Sequence, residues 1–271
     1  MNMEARYGAM RKLLLSNEQF KQFGLDIQNR HRSDGGDTLA NDSGQIGWGV
    51  QRRGRSLWTR NAVKGVRLRD ENLRKDGRIE WRSWNPRASK LAAALIRTKR
   101  DASLLIPDPG STALYVGAGH GTTISHLHDH LCGAGNHHSG RIVAVDLSPR
   151  CIRDLIRLSG VRSGISPVLA DARNLDEFSP FVPERVPWIL QDVSQAGQVE
   201  LMIRICERFL APDGVALLSL KAASERWADG GDEAKFTQAE ERLASSKLRL
   251  GERIDLRGFE DQHVMFVIHA N

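Results

Sequence analysis

Cysteine is scarce in this chain, and long apolar runs are missing. The 271 residues contain three cysteines, Cys132, Cys151 and Cys206, which are widely spaced and form no C-x-x-C pair. This pattern argues against a disulfide framework and favours reduced, mostly buried thiols. No stretch approaches the ~20 consecutive apolar residues of a membrane-spanning helix, and the apolar patch at 13–15 is too short for the core of a secretory signal. We therefore expect a cytoplasmic protein that does not enter a membrane.

The composition is that of a globular protein, but its charge is unevenly distributed. Hydrophobic residues make up 40% and charged residues 27% of the chain, and the formal net charge is +6. Residues 51–100 hold 16 Lys and Arg against 4 Asp and Glu, a local balance of +12, whereas the rest of the chain has a balance of −6. Such a basic segment is typical of a surface that grips a polyanion. The alternative is a solvated basic face without a partner.

The sequence predicts three regions along the chain. Residues 1–44 include a polar, glycine-containing stretch at 33–44, so we expect a partly disordered N-terminal extension. Residues 45–81 contain short β-prone pieces at 48–50, 56–59, 66–68 and 79–81, which predict a small antiparallel sheet that packs on the main domain. Residues 82–271 form that main domain, and Pro86 fits the first turn of a helix that runs to about residue 99.

From residue 112 onward, strand and helix patterns alternate, which predicts a parallel sheet. Strands are predicted at 112–117, 141–146, 166–170, 186–191 and 215–220, with helices at about 121–132, 149–159, 196–210 and 232–247. Two final strands, 250–256 and 263–269, predict a terminal antiparallel hairpin. The expected fold class is α/β: a class I (Rossmann-like) methyltransferase with a mostly parallel seven-stranded sheet, preceded by a small N-terminal β subdomain.

Polar residues lie at the ends of the predicted strands, where parallel sheets bind their ligands. The first strand ends in Gly117, Gly119 and Gly121, which allow the backbone to pass close to a ligand. The residues at the later strand ends are Asp146, Asp171, Asp192 and Lys221. We assign Asp146 to ribose hydroxyls, Asp171 to an adenine amino group, and Asp192 to the reacting centre where the strand order would reverse. Each aspartate alone is equally well a helix N-cap or a turn residue, but together they predict a nucleoside-containing cofactor.

Seven stretches of the sequence resemble one known family. They are EWRSWNPRASKLAAAL (80–95), LYVGAGHGTTISHLHD (114–129), VAVDLSPR (143–150), VLADAR (168–173), QDVSQ (191–195), LLSLKAAS (217–224) and DQHVMFV (261–267). In this order they are similar to the fibrillarin family of S-adenosylmethionine-dependent RNA 2′-O-methyltransferases, and most of all to its archaeal fibrillarin-like branch. The resemblance covers about residues 45–270, and its most specific parts are NPRASK and GTTISH.

The resemblance implies a catalytic set and a cofactor. The positions that match the family's Lys-Asp-Lys-His set are Lys90, Asp192, Lys221 and His263. The implied binding residues for S-adenosylmethionine are Gly117, Ala118, Gly119, Gly121, Thr122, Thr123, Asp146, Leu147, Asp171, Ala172, Asp192 and Gln195. A ribose hydroxyl is a poor nucleophile, which must be held in line with the methyl group while its proton is removed or its developing charge is stabilised. We expect Lys221 to be the central lysine and Lys90 to lie on the substrate side.

The resemblance also implies partners. The family works in a box C/D ribonucleoprotein, where a guide RNA selects the rRNA or tRNA nucleotide. A Nop-domain scaffold protein docks the enzyme, and a kink-turn-binding ribosomal-type protein anchors the RNA. This sequence contains no recognisable RNA-binding module, which fits specificity supplied by a guide. Two alternatives stay open: a protein glutamine methyltransferase, an activity also attributed to nucleolar fibrillarins, and a catalytically idle assembly subunit.

The sequence departs from the family pattern at several positions. Asp146 replaces a glutamate, Gln191 stands where an acid usually precedes Asp192, and His120 occupies a loop position that is more often small. Residues 1–44 match nothing in the family, and the Gly/Arg-rich tail of eukaryotic fibrillarins is absent. His120 and Gln191 are the differences that keep an idle subunit open as an alternative.

Two other groups of residues have a possible functional interpretation. One is a cluster of residues whose side chains can bind a metal ion: His126, His128, His130, Cys132, His137 and His138. Their spacing fits no closed tetrahedral zinc site, so we expect no metal and interpret them as a solvated helix end and loop. The other is the pair Trp81 and Trp84, which could stack on bases, although aromatic residues at a domain junction are more often core.

Overall fold

The computed structural model describes residues 43–224 and 231–270. The predicted N-terminal extension lies outside the described residues except for positions 43 and 44, which already belong to a strand. The division of the chain at residues 44 and 81 stays a prediction.

Five short strands form an N-terminal antiparallel sheet in the order β1-β2-β3-β5-β4. Their bounds are β1 Ser43–Gly47, β2 Val50–Arg53, β3 Ser56–Arg60, β4 Leu73–Asp76 and β5 Ile79–Trp84. Leu57 and Trp84 are paired across β3 and β5, and both are buried because successive side chains alternate between the two faces. The predicted antiparallel sheet is confirmed, and it reaches from residue 43 to residue 84.

Two of the pieces predicted for this sheet are wrong. Residues 48–50 lie mostly in the β1–β2 turn, and 66–68 form a loop. In that loop, side chains occupy backbone donors that a strand would offer: Glu80 accepts from the Gly65 N–H at 2.7 Å, and Glu71 accepts from the Leu68 N–H at 3.1 Å. The prediction missed β1, most of β2 and β4. Of these, β4 is largely exposed and charged, so it lacks the apolar alternation that indicates a strand.

The main sheet has seven strands in the order β11-β12-β10-β9-β6-β7-β8. Their bounds are β6 Thr112–Val116, β7 Arg141–Asp146, β8 Ile165–Leu169, β9 Val186–Gln191, β10 Leu210–Lys221, β11 Leu248–Asp255 and β12 His263–Ala270. All neighbouring pairs are parallel except those of β12 with β10 and β11. The mostly parallel sheet and the terminal antiparallel hairpin are therefore confirmed.

Helices cover both faces of this sheet. They are α1 Lys90–Arg97, α2 Thr122–Leu131, α3 Pro149–Ser159, α4 Leu175–Phe178, α5 Gln198–Phe209 and α6 Asp232–Ala244. The first three pack on one face together with the N-terminal sheet, and the last three pack on the other. The helix predicted from Pro86 begins only at Lys90, because Ser89 caps it by accepting a hydrogen bond from the Ala92 N–H at 3.3 Å.

The strand order reverses between β6 and β9. From β6 the chain adds β7 and β8 on one side and then returns to add β9 and β10 on the other. Ligands of open parallel sheets bind at such a reversal, beyond the carboxyl ends of the strands. The residues that follow β6 and β9, Gly117 and Asp192, meet there, since the Asp192 N–H donates to the Val116 carbonyl at 2.8 Å.

Candidate functional site

The glycine loop after β6 passes very close to the end of β9. Gly117 has φ +83°, and a Cβ built on it would lie 2.3 Å from the Asp192 carbonyl oxygen, so the position requires glycine. Gly119 has φ +57°, and a Cβ there would meet no atom within 4 Å. The loop is therefore tight against the protein at Gly117 and borders open space at Gly119.

Asp146, the last residue of β7, holds this loop in place. One carboxylate oxygen accepts from the Gly119 N–H at 2.8 Å and the other accepts from the Ser148 N–H at 2.8 Å. Each carboxylate oxygen has two lone-pair sites, so Asp146 retains acceptor capacity for two hydroxyl groups.

A cavity of about 390 Å³ opens beside these residues. It is lined by Gly117, Gly119, Val145, Asp146, Leu147, Ala170, Asp171, Ala172, Asp192, Val193, Ser194 and Gln195. Its volume falls in the range of ~300–1,000 Å³ that is typical of small-molecule sites. Most of the residues expected to bind the cofactor therefore line a single cavity at the reversal of the strand order.

Four of the expected binding residues do not line this cavity. The Ala118 N–H donates to the Val145 carbonyl at 3.0 Å, and Gly121 is the N-cap residue before α2, with φ +87°. The Thr122 hydroxyl accepts from the Arg69 guanidinium at 3.0 Å, and the Thr123 hydroxyl donates to Ser89 at 2.9 Å. These four residues shape and anchor the loop around the cavity.

Asp171 is paired within its own turn. The Arg173 guanidinium donates to both of its oxygens, at 2.6 to 3.1 Å, and the hydrogen bonds from Arg173 hold the pKa of this carboxyl below its usual value. Arg173 was not among the expected site residues. Its position two residues after the aspartate is the signal that could have identified the pair.

Lys90 and Asp192 form an ion pair at the edge of the cavity. The Lys90 ammonium donates to both carboxylate oxygens of Asp192, at 2.9 and 3.2 Å. Both side chains are mostly buried, with exposed fractions of 24% and 20%. We expected Lys221 to be the central lysine; in the structure, the lysine that pairs with Asp192 is Lys90. Lys90 is the first residue of α1, and Ser89, which caps this helix, accepts a hydrogen bond from Thr123 of α2.

Lys221 and His263 lie opposite each other on neighbouring strands. They are paired across the antiparallel β10 and β12, so their side chains project from the same face of the sheet. Gln191 is level with Leu218, three residues before Lys221, so β10 carries Lys221 beyond the end of β9. Nδ1 of His263 contacts the Asp261 carbonyl at 2.9 Å. The four residues of the implied catalytic set thus form two pairs.

A buried network of ion pairs, not anticipated from the sequence, holds α2, the helix that follows the glycine loop. Asp129 of α2 is fully buried and accepts from the Arg82 guanidinium at 2.8 Å, from the Thr59 hydroxyl at 2.8 Å and from Arg162. Burial alone would raise the pKa of Asp129, but Arg82 and Arg162 hold it well below its usual value. Arg82 also pairs with Glu71 at 3.0 Å. The N-terminal sheet is thereby tied to the helix that follows the glycine loop.

The interpretation of the histidines as a solvated helix end is wrong for three of them. His126, His128 and His130 are at most 2% exposed, because each imidazole finds a partner inside the protein. His126 contacts Thr59 at 2.8 Å, His128 contacts the Ser163 carbonyl at 2.9 Å, and His130 contacts the Pro107 carbonyl at 2.6 Å. Burial lowers the pKa of both His126 and His128 to about 4.

Trp84 belongs to the core, as expected for an aromatic residue at a junction. It is 1% exposed and stacks on His126 with a centroid distance of 5.0 Å. Trp81 is partly exposed and lies under the Arg53 guanidinium at 5.7 Å.

Neither a metal cluster nor a membrane-spanning helix occurs in the described part of the chain. Within residues 43–224 and 231–270, no group of three or more His, Cys, Asp or Glu side chains is arranged to hold a metal ion. Over the same residues, every helix is too short or too polar to cross a bilayer.

Comparison with known proteins gives consistent matches over most of the chain. The fibrillarin family model matches residues 46–271. The fibrillarin-like rRNA/tRNA 2′-O-methyltransferase of Methanocaldococcus jannaschii is 34% identical over 228 residues, which cover 82% of this chain and 90% of that protein.

Two solved structures share the fold. Aeropyrum pernix fibrillarin in complex with natively bound S-adenosyl-L-methionine is 28% identical with a TM-score of 0.70, covering 84% of this chain and 100% of that one. A fibrillarin/Nop5p complex contains a chain that is 27% identical with a TM-score of 0.69, covering 82% of this chain and 98% of that one. The matched region includes the N-terminal sheet as well as the class I methyltransferase sheet. The resemblance carried by seven short motifs is therefore confirmed, and the chain belongs to the fibrillarin family.

Proposed function

We propose that this chain transfers a methyl group from S-adenosylmethionine to the ribose 2′-hydroxyl of nucleotides in rRNA and tRNA. It acts as the catalytic subunit of a box C/D ribonucleoprotein in which a guide RNA selects the target. The observation that carries the proposal is the cavity at the strand reversal, which has three aspartates in its wall and the Lys90–Asp192 pair at its edge.

The residues of this cavity fit S-adenosylmethionine. Gly119 borders open space, and Asp146 beside it retains acceptor capacity for the two hydroxyls of a ribose. Asp171, which also lines the cavity, accepts from the adenine amino group at the acceptor site that the three N–H groups of Arg173 leave free. When bound, the cofactor supplies an electrophilic methyl group on a sulfonium. The Aeropyrum pernix fibrillarin structure, a complex with natively bound S-adenosyl-L-methionine, supports this assignment.

The Lys90–Asp192 pair is the catalytic centre in this proposal. Asp192 holds the ammonium of Lys90 at the cavity edge, where it stabilises the negative charge that develops on the ribose oxygen. Lys221 and His263, further out along β10 and β12, contact the incoming nucleotide and hold its hydroxyl in line with the methyl group.

The surface charge supports an RNA partner. Of the 16 Lys and Arg in residues 51–100, twelve are exposed, whereas two of the four acids there, Glu71 and Glu80, are buried. On the exposed surface of this segment, Lys and Arg therefore outnumber Asp and Glu by twelve to two, against 16 to 4 in its composition. The partners we propose are the guide RNA, the rRNA or tRNA substrate, a Nop-domain scaffold protein and a kink-turn-binding ribosomal-type protein. The solved fibrillarin/Nop5p complex supports the scaffold.

Reconstitution tests the proposal. Calorimetry with S-adenosylmethionine should show binding to the chain alone, whereas site-specific methylation should require guide RNA, scaffold protein and kink-turn-binding protein together. The isolated chain should bind RNA weakly, with an affinity that falls steeply as salt is raised. Efficient guide-independent methylation would contradict the role in a ribonucleoprotein. A chain that assembles but binds no cofactor would instead be the idle subunit.

Two lysine variants test the catalytic centre in single-turnover methylation by the reconstituted particle. Lys90→Ala should lower the methyl-transfer rate by about 100-fold or more, since it removes a charge that acts in the transition state. Lys221→Ala should also lower the rate and should weaken productive placement of the RNA. Lys99→Ala is the matched control, because Lys99 is exposed and lies beyond the opposite end of α1. Near-normal rates for Lys90→Ala would show that the pair with Asp192 is only structural.

A further inference from the structure

A thiol, an imidazole and a carboxylate form a chain beside the glycine loop. Nε2 of His120 lies 3.8 Å from Sγ of Cys151, and its Nδ1 lies 2.8 Å from Oδ2 of Asp154. In this order, a carboxylate orients an imidazole that takes the proton of a nucleophile. We propose that Cys151 is a site of covalent modification by low-molecular-weight disulfides, and that the modification weakens cofactor binding.

The surroundings of the thiol fit this chemistry. Cys151 lies in the first turn of α3, where the helix dipole favours negative charge, and its N–H donates to the capping hydroxyl of Ser148. The carboxylate of Asp154 is shared with Arg153 at 3.6 Å and Arg157 at 3.4 Å, so two guanidinium groups lie at the carboxylate end of this chain of three groups.

Reagents can reach the site. Cys151 is partly exposed, and His120 and Asp154 line an open groove of about 610 Å³ that is separate from the cofactor cavity. The other two cysteines provide the contrast within the same chain. Cys132 and Cys206 are buried, and burial raises the pKa of both thiols, that of Cys132 to about 12.

The reaction is a thiol–disulfide exchange. His120 accepts the proton of the Cys151 thiol, and Sγ attacks one sulfur of the disulfide. The new bond joins Sγ to that sulfur while the S–S bond of the reagent breaks. The second sulfur leaves as a thiolate and takes the proton from His120. The reaction needs no further oxidant: the Cys151 thiol becomes part of a disulfide, and one half of the reagent is reduced to a thiol.

The same residues touch the cofactor loop. His120 stands between Gly119 and Gly121, and Gly119 is bonded to Asp146. Asp146 is bonded to Ser148, which caps the helix that carries Cys151. A group added to Sγ takes the place of its contact with the His120 imidazole, and we infer that the resulting shift of His120 moves the loop relative to Asp146. This coupling rests on the proposed cofactor site, and by linkage bound cofactor should slow the modification.

The experiment uses the full chain and 2-hydroxyethyl disulfide, a neutral reagent, with peptide mapping by mass spectrometry. Cys151 should react about tenfold or more faster than Cys132 and Cys206, and His120→Ala and Asp154→Asn should each slow it by about tenfold. Saturating S-adenosylmethionine should slow the wild-type reaction. Calorimetry before and after modification should show cofactor affinity reduced by about fivefold or more, while Cys151→Ser treated in the same way keeps its affinity.

Three results would overturn the proposal. The first is a Cys151 rate in the folded chain no higher than in the urea-unfolded chain, and the second is an unchanged rate in both His120→Ala and Asp154→Asn. The third is full cofactor affinity after complete modification. If the unmodified chain does not bind S-adenosylmethionine at all, the proposed function fails, and the control of cofactor binding fails with it. The reaction rates, measured without cofactor, still decide whether Cys151 is an activated thiol.

Discussion

Replacing Asp146 by alanine should weaken S-adenosylmethionine binding strongly. In the structure this carboxylate accepts from two backbone N–H groups, of Gly119 and Ser148, both at 2.8 Å. In the proposed complex it also accepts from two ribose hydroxyls. Hydrogen bonds to charged groups contribute ~1.5–3 kcal/mol each, but solvent partly replaces them at a half-buried residue. A net loss of about 2–3 kcal/mol follows, which corresponds to a dissociation constant raised by about 30- to 150-fold.

Isothermal calorimetry with the purified chain measures this change directly. Asp146→Asn is the matched control: its amide oxygen can replace only one of the two acceptors and carries no charge, so its affinity should fall between those of wild type and Asp146→Ala. Thermal unfolding without cofactor shows whether each variant is folded. If folded Asp146→Ala binds S-adenosylmethionine within about threefold of wild type, a change below 1 kcal/mol, then Asp146 is not in the cofactor site.

Three further predictions concern the buried network and the glycine loop. Asp129→Asn should lower the free energy of unfolding in urea by about 3–5 kcal/mol, because Arg162 loses its carboxylate partner and Arg82 loses one of its two; a loss below 1 kcal/mol would show that solvent reaches the site. His126 and His128 have pKa values lowered to about 4, so an unfolded chain binds protons that the folded chain does not, and stability should fall as pH is lowered from about 6.5 to 4; urea midpoints that stay constant over this range would contradict it. His120→Ser should change cofactor affinity by less than about threefold, since the imidazole turns toward Asp154 rather than into the cavity; a large loss in calorimetry would place it in the site.

The architecture of the main sheet could be predicted because its pattern is local. Strands such as β7 are short apolar runs that end at an acid, and the helices between them are amphipathic and capped by residues such as Ser148. Because parallel strands end at the same edge, the positions of Gly117, Asp146 and Asp192 along the sequence already place them together. The reversal of strand order then identifies the cavity without any side-chain detail.

The ion pair between Lys90 and Asp192 could not be predicted in the same way. Lys221 follows a strand, so the edge of the sheet predicts its position, whereas Lys90 belongs to a helix that precedes the sheet. The orientation of that helix depends on Ser89, which caps it and also accepts a hydrogen bond from Thr123 at 2.9 Å. A contact between residues that far apart in sequence leaves no periodic signal. The ion pair with Asp192 therefore becomes visible only in three dimensions.

A count of charges along the sequence does not distinguish exposed residues from buried ones. Arg82 contributes to the basic segment at 51–100 and would be counted with the surface that meets RNA, yet it is fully buried. Its guanidinium joins Glu71 of the N-terminal region to Asp129 of α2, and α2 begins at the glycine loop. A buried arginine with two carboxylate partners is costly to separate, because each group left behind would be an unpaired charge in the interior. The N-terminal sheet therefore does two things: it holds the helix that follows the glycine loop through Arg82, and it presents the exposed basic residues of this segment.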